Sequence, residues 1–317
     1  NGPAGTREGF PNLVVQPGRY RLHVREFVKK AAPGAAAAAR TVPCAPYALE
    51  VHTGPLPSEE EELEPNDQAA FAGELPIGGI KKGYAGWRRD QDYWRVSLAG
   101  LGANEGLAVD VDAVPGVAWR ARLLDSTEKT LMQRQAGKDQ PVAVRNLALR
   151  AGEPFVYLVV ACGAGNIDEP YTIRASSAPF RLDEETEPND SASAANAISD
   201  EPDAVSGVRV GYLVSGDEDY YRVPSAPLAR VLRLKVEPPA FVNATLGAVS
   251  ETGQPIVPAV DKARRGEAES LPNVPVPAST TVFVVVSLKG SGSESERYRL
   301  EWSLVPDGAA STLVPDD

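Results

Sequence analysis

Histidine, cysteine and methionine are scarce in this sequence: its 317 residues include two histidines, two cysteines and one methionine. Two cysteines are too few for a disulfide-dense scaffold. A bridge between Cys44 and Cys162 would need an inter-domain contact that the spacing does not show, so we expect two buried, inert thiols. His23 and His52 both lie before residue 57, so a Ser/His/Asp or Cys/His catalyst has no histidine in the remaining chain. Nucleophile elbows, P-loops and dinucleotide fingerprints are absent as well, and we predict that the chain is not an enzyme.

The sequence also lacks long apolar runs and an excess of positive charge. It contains no run of about 18 apolar residues, so we predict no membrane span. Lysine and arginine number 32 against 43 aspartates and glutamates, which gives a formal net charge of −11. Nucleic acids and anionic membranes would repel such a chain, and we predict neither as its main partner. The acidic balance favours cations or basic surfaces.

Amphipathic helical periodicity is missing too, and strand patterns take its place. Such segments are short, alternating or continuously apolar, and rich in valine, leucine and aromatic residues. The clearest are residues 19–24, 107–114, 117–124, 231–236 and 281–288. Proline, glycine, asparagine and aspartate separate them. These patterns predict an all-β fold.

The strand patterns repeat along the chain. Tyrosine-led strands begin at Tyr47, Tyr171 and Tyr298, which are 124 and 127 residues apart. Short strands at regular spacing predict a β-sandwich or jelly roll for each repeat. We therefore predict tandem β-sandwich domains.

The predicted domains cover the chain unevenly. We expect complete sandwiches at 57–178 and 179–306, and a disordered tail at 307–317. Residues 1–56 match only the C-terminal half of a sandwich. Half a sandwich leaves strand edges unpaired, so this part needs strands from a preceding segment, which we favour, or from a neighbouring chain.

Both complete units carry two acidic motifs in the same order. Glu62 and Glu64 stand two apart in an extended segment, so their side chains point to one face. Asp90 and Asp92 repeat that spacing at the start of a strand pattern and can converge on the same face. Ca²⁺ takes six to eight oxygen ligands, several of them carboxylates, and it would relieve the repulsion among these acids. The alternative is that the motifs are solvated linkers, which is our interpretation of 59–61.

The complete motif order identifies a resemblance. It reads E-x-E-P-N-D, then G-x-x-D-x-D-Y-[WY]-R-V, then P-G-x-Y-x-[LI]-x-V and P-Y-x-[LI]. This order resembles the bacterial pre-peptidase C-terminal (PPC) domain, a jelly-roll module of secreted peptidases and other exported bacterial proteins. The collagen-binding domains of clostridial collagenases are similar to it, and in them the two acidic motifs together hold calcium. Carried over to this sequence, the resemblance implies these calcium ligands: Glu62, Glu64, Asn66, Asp67, Asp90 and Asp92 in the first unit, and Glu185, Glu187, Asn189, Asp190, Asp217 and Asp219 in the second.

The resemblance and the residues together predict a non-catalytic, calcium-stabilised binding or spacer module of an exported bacterial protein, in the periplasm, at the cell surface or secreted. Its expected partner is an extracellular or envelope protein or glycan. Tyr84, Trp87 and Arg88 lie on a turn and are the candidate recognition patch, whereas Trp94 and Trp119 lie in strand patterns and are predicted core.

Three other functions stay open at this point. In the first alternative, the units are accessory domains of a secreted peptidase whose catalytic domain lies upstream. A third interpretation is a structural subunit of a cell-envelope assembly, in which a neighbouring chain completes residues 1–56. Composition alone also leaves a carboxylate-pair glycosidase open, although the acids cluster where units begin instead of facing across a cleft.

Overall fold

Strands make up nearly all the regular structure of this chain. The structure, a computed structural model, describes residues 7–24, 46–87, 90–149, 152–201, 203–214, 216–293 and 295–306. Within these ranges the only helical element is a 3₁₀ turn at Ala69–Phe71. The predicted all-β fold is therefore confirmed. None of the described residues forms a helix with the length and apolar character that crossing a membrane requires.

The first sandwich packs a five-stranded sheet, in the order β1-β3-β8-β5-β6, against a four-stranded sheet, β2-β9-β4-β7. Its strands are β1 (Gly73–Pro76), β2 (Ile80–Ala85), β3 (Gln91–Ser97), β4 (Glu105–Val111), β5 (Trp119–Leu124), β6 (Thr130–Ala136), β7 (Val142–Leu147), β8 (Phe155–Cys162) and β9 (Asn166–Pro179). The pair β1–β3 is parallel, and the other neighbours are antiparallel.

The second sandwich has the same strand order. A five-stranded sheet, β10-β12-β17-β14-β15, packs against a four-stranded sheet, β11-β18-β13-β16. Its strands are β10 (Asn196–Ala197), β11 (Ser206–Gly211), β12 (Glu218–Val223), β13 (Arg230–Glu237), β14 (Ala244–Ser250), β15 (Pro255–Val260), β16 (Glu269–Val276), β17 (Val282–Leu288) and β18 (Tyr298–Pro306).

Each sandwich has its own apolar core, built by period-two alternation. In β3 the buried positions alternate with half-buried ones along the whole strand, and β18 repeats this pattern over most of its length. Trp94 and Trp119 are 2% and 3% exposed, as predicted. Burying an aromatic side chain of this size contributes roughly 1.5–3 kcal/mol or more, which makes these residues main contributors to the first core. Cys162 is buried at the end of β8, and its Sγ donates to the Trp87 carbonyl at 3.1 Å, whereas Cys44 lies outside the described residues.

Residues 19–24 form no strand, so that prediction is wrong. Tyr20, Leu22 and Val24 alternate as in a strand but are 60%, 58% and 49% exposed. An isolated strand leaves its backbone hydrogen-bonding groups unpaired, and no described strand lies beside this segment to pair them. The predicted tail, 307–317, lies outside the described residues.

The same backbone joint recurs where each sandwich begins. Glu64 N donates to Asn12 O at 3.0 Å, and Val14 N donates to Glu64 O at 2.8 Å. At the second sandwich, Glu187 N donates to Asn146 O at 2.9 Å, and Ala148 N donates to Glu187 O at 2.7 Å. Each acidic segment is therefore attached to the chain that precedes its sandwich.

Candidate metal centre

The first acidic cluster comprises Glu62, Glu64, Asn66, Asp90 and Asp92. Its first three members lie on the entrance segment, residues 62–67, where alternate side chains turn inwards as in a strand. Each of the three is 2% exposed, whereas Leu63 between them is 44% exposed. The alternation expected from the sequence thus puts the polar side chains inside and the apolar one outside.

Strand β3 supplies the other two carboxylates. Asp90 directly precedes β3 and Asp92 is its second residue, and they are 1% and 2% exposed. Backbone hydrogen bonds hold the entrance segment beside them: Tyr93 N donates to Asn66 O at 3.1 Å. The two motifs, separated in sequence, therefore meet in one buried place.

Neutral donors hold at least one oxygen of each carboxylate. The donor–acceptor pairs are Tyr84 N to Glu62 Oε1 at 2.7 Å, Asn66 N to Glu64 Oε2 at 3.0 Å, Gly86 N to Asp90 Oδ2 at 2.6 Å, and Tyr171 Oη to Asp92 Oδ2 at 2.7 Å. These bonds fix the orientation of the side chains but bring no positive charge.

Three further oxygens in the cluster have no hydrogen-bond donor. They are the Oδ1 atoms of Asn66, Asp90 and Asp92, all buried. Leaving a buried acceptor without a partner costs about 1–3 kcal/mol, and more when it is charged. Among the described residues, no lysine or arginine is one of the main causes of the pKa shifts of the four carboxyl groups. As far as the described part of the chain shows, the cluster is therefore short of both hydrogen-bond donors and positive charge.

Burial raises the pKa of all four carboxyl groups. It raises the pKa of Glu62 to about 9, of Asp90 to about 7 and of Glu64 to about 6, against backbone hydrogen bonds that lower each of them. The pKa of Asp92 also lies well above its ordinary value, through burial first and then repulsion by Glu62 and Asp90. Desolvation and like charge both disfavour the ionised form, and a bound cation opposes both effects.

A divalent cation fits this set of donors. Carboxylate oxygens of Glu64, Asp90 and Asp92 lie within 4.8 Å of one another. Oxygens that share one Ca²⁺ at 2.3–2.6 Å are at most about 5 Å apart. The amide oxygen of Asn66 and the carboxylate of Glu62 belong to the same buried cluster, whose potential ligands are all oxygens, the chemistry that hard cations select.

The second acidic cluster, at the corresponding place in the second sandwich, comprises Glu185, Glu187, Asn189, Asp217 and Asp219. All five side chains are at most 4% exposed. Tyr220 N donates to Asn189 O at 3.2 Å, which repeats the attachment of the entrance segment to the sheet. Burial again raises the pKa of Asp219, with repulsion from Glu185 and Glu187 adding to it.

A buried arginine distinguishes the second cluster from the first. Arg134 lies on β6 of the first sandwich and is 3% exposed. Its Nη2 donates to Asp217 Oδ1 at 2.7 Å and also to Glu187, while its Nη1 lies 3.3 Å from Asp190 Oδ1. Burial lowers the pKa of Arg134, but Asp217, Glu187 and Asp190 raise it by more, so this guanidinium stays charged.

The structure brings together most of the predicted ligands. Asp67 and Asp190 are half-buried at the rims of their clusters, outside the fully buried sets. Of the candidate recognition patch, Tyr84 and Trp87 are half-buried, and Arg88 lies outside the described residues. The Trp87 ring packs against Phe10, with centroids 5.3 Å apart.

Sequence reasoning missed the tyrosines that bind the carboxylates. Tyr171 donates to Asp92, and in the second cluster Tyr298 donates to Glu185 Oε2 at 3.1 Å. Burial, with the nearby carboxylates, raises the pKa of both tyrosines well above 10, so both stay protonated donors. The sequence did contain a signal for them, because a tyrosine recurs at the repeat spacing. A strand position that only packs against the core needs no hydroxyl group.

Comparisons with known proteins leave the family open. No family model matches the chain, and no curated protein matches it. Among solved structures, the exported protein XepA of PBSX is similar over 72% of this chain and 86% of its own, at 10% identity and a TM-score of 0.26. The CUB1-EGF-CUB2 domains of rat MASP-1 match 73% of this chain and 99% of theirs, at 10% identity and a TM-score of 0.21. The CBM22-1-CBM22-2 tandem domain of Paenibacillus barcinonensis Xyn10C matches 67% and 82%, at 10% identity and a TM-score of 0.19. Similarity this low carries no functional argument.

Proposed function

We propose that this chain is a non-catalytic binding or spacer module of an exported bacterial protein, stabilised by Ca²⁺ at the first acidic cluster. One observation supports calcium above all: four buried carboxylates converge with an amide, and three of their oxygens lack a donor. Burial without compensation is costly for such groups. A divalent cation is the compensation that suits an all-oxygen site.

The expected role of the cation is to stiffen the joint between units. Glu62, Glu64 and Asn66 lie on the entrance segment, whereas Asp90 and Asp92 belong to the β3 end of the sheet. A cation held by both would tie the segment to its own sandwich. Because Glu64 is also hydrogen-bonded to Asn12 and Val14, the same cation would restrict the preceding segment.

A rigid series of sandwiches suits a protein that presents binding surfaces better than one that catalyses a reaction. Rigid spacing between modules keeps their surfaces at a fixed separation, which raises the effective concentration of a second binding event. An extracellular or envelope protein or glycan remains the proposed partner class. The location outside the cytoplasm rests on the family resemblance, and the calcium affinity we expect is that of extracellular modules, a Kd of about 10⁻⁴–10⁻³ M.

Thermal unfolding of the full chain tests the calcium site. We expect the midpoint in EDTA to rise when Ca²⁺ is added to about one hundred times its Kd, because binding then stabilises by about 2.7 kcal/mol. For a chain of this size that unfolds as one unit, this corresponds to roughly 4 °C. Asp92→Asn should abolish the rise while keeping an acceptor for Tyr171.

Two controls make the result specific. Glu218→Gln removes one carboxylate from an exposed position on β12 and should leave the calcium response unchanged. Mg²⁺ at the same concentration should give a smaller rise, since it demands a stricter octahedral geometry than Ca²⁺. A midpoint that does not respond to Ca²⁺ in the unmodified chain contradicts the proposal.

A further inference from the structure

The two acidic clusters are built alike but are compensated differently. Each has two glutamates and an asparagine on an entrance segment and two aspartates at the start of a strand. In the first, no lysine or arginine of the described residues is a main cause of the pKa shifts of the carboxyl groups. In the second, the guanidinium of Arg134 contacts Glu187, Asp190 and Asp217. The groups that contact the guanidinium are the same three whose oxygens lie close enough to share one metal ion.

The arginine is a specific addition to a common framework. One row of paired residues crosses the five-stranded sheet of the first sandwich: Asp92, Val160, Ala121 and Arg134. The equivalent row of the second sandwich is Asp219, Val286, Leu246 and Val260. Arg134 and Val260 therefore hold the same position on the outermost strand of each sheet. Because valine occupies this position in the second sandwich, the sheet itself needs only an apolar residue at this place on its outermost strand.

The joint explains why this arginine reaches the next cluster. Arg134 precedes Asn146 by 12 residues, and Asn146 is the residue whose carbonyl accepts from Glu187 N. At the first joint, Asn12 takes the equivalent part, because its carbonyl accepts from Glu64 N. The second cluster thus receives a cation from its neighbouring sandwich, and Asn189 Oδ1 and both carboxylate oxygens of Asp219 still have no hydrogen-bond donor there.

We propose that the Arg134 guanidinium takes, in the second cluster, the place that a divalent cation takes in the first, so that the second cluster binds no metal until Arg134 is removed. The comparison with the first cluster rests on the proposed function. Five donors in one plane let a guanidinium bridge several carboxylates at once, which a lysine ammonium does less well. The two sandwiches would then be joined by a residue of the chain, independent of calcium supply.

The number of Ca²⁺ ions bound per full-length chain tests this proposal. Equilibrium dialysis at saturating Ca²⁺ should give one ion for the unmodified chain and two for Arg134→Val, the residue found at the equivalent position 260. Asp92→Asn should bind none, and the double variant Asp92→Asn/Arg134→Val should bind one. Arg134→Lys keeps a cation in place and should not bind a second ion.

The outcomes separate this proposal from the proposed function. Two ions bound to the unmodified chain, or no gain in a folded Arg134→Val variant, overturns the exchange of arginine for metal. No ion in the unmodified chain and one in Arg134→Val overturns calcium at the first cluster but supports the exchange.

A further variant covers the case in which Arg134→Val does not fold. Asp217→Asn in the otherwise unmodified chain should leave the number of bound ions unchanged, because no metal occupies that cluster. Loss of one ion in Asp217→Asn would show that metal was bound beside Arg134 and would refute the proposal.

Discussion

At the scale of single residues, each cluster depends on a glycine whose missing side chain lets a carboxylate approach. A Cβ added at Gly83 would overlap the Glu62 carboxylate and the Tyr171 hydroxyl. A Cβ at Gly211 would likewise overlap Glu185 and Tyr298. Neither glycine has the left-handed backbone that would otherwise explain it. The glycines make room for the contact between an entrance segment and the Tyr-led strand.

Gly83→Ala should therefore damage both stability and metal binding. Overpacking of a filled site costs about 1–3 kcal/mol, and displacement of Glu62 should weaken the calcium response. Urea unfolding in EDTA and in Ca²⁺ measures the two effects. Gly54→Ala is the matched control, because no atom lies within 4 Å of a Cβ added there, and its effect should stay within about 0.5 kcal/mol. Equal stability of the two variants would show that the Glu62 carboxylate and the Tyr171 hydroxyl leave room for a side chain at position 83.

At the scale of elements, the joint between units depends on a backbone conformation that few residues adopt. Asn12 and Asn146 have φ of 54° and 48°, in the left-handed region. Asparagine and glycine tolerate this region better than other residues do. At both joints this residue's carbonyl accepts from a cluster glutamate, Glu64 or Glu187, so the turn positions the entrance segment.

Substitutions at Asn146 should rank by their tolerance of this conformation. Asn146→Ala should destabilise the chain by about 1–2 kcal/mol relative to Asn146→Gly, since a Cβ without a compensating polar group is strained there. Denaturant unfolding of the two variants gives the difference directly. The same pair of substitutions at Asn12 provides an internal comparison. A chain that is equally stable with alanine and glycine would mean that the turn relaxes without cost.

At the scale of the whole molecule, the buried acids make stability depend on pH and on calcium together. The pKa of Glu64 in the folded chain is about 6, that of Asp90 about 7 and that of Glu62 about 9, each above its ordinary value. Such groups bind more protons folded than unfolded. Their stabilising contribution is complete below the unfolded pKa, about 4, and is lost as pH rises through the folded values.

The metal-free chain should therefore lose stability between about pH 4 and pH 9. Calcium should oppose this loss, because the ionised carboxylates that destabilise the empty cluster are the form that binds the cation. Urea midpoints at pH 5, 7 and 9, in EDTA and in Ca²⁺, measure both curves. The expected result is a midpoint that falls with pH in EDTA and falls less in Ca²⁺. A midpoint that rises from pH 5 to pH 9 in EDTA would refute the assignment of raised pKa values.

Local pattern was sufficient to predict which chain segments are strands and which carboxylates share a face. Period-two alternation placed Glu62 and Glu64 on one side of the entrance segment, and the structure shows them buried together. Alternation is a property of neighbouring residues, so it can be read without knowing the fold. The segment 19–24 shows the limit of this reasoning: its pattern is that of a strand, but a strand also needs a partner.

The sequence by itself determined the all-β class, the repeated motif order and the acidic residues that gather where each sandwich begins. Only the tertiary structure decided that the second cluster receives a guanidinium from the first sandwich. Arg134 precedes Glu187 by 53 residues and belongs to the other sandwich, so no local pattern relates them. Their contact depends on the joint at Asn146 and on the register that places Arg134 on the outermost strand. Long-range geometry and the residue type at this edge position together thus bring a guanidinium to the second acidic cluster.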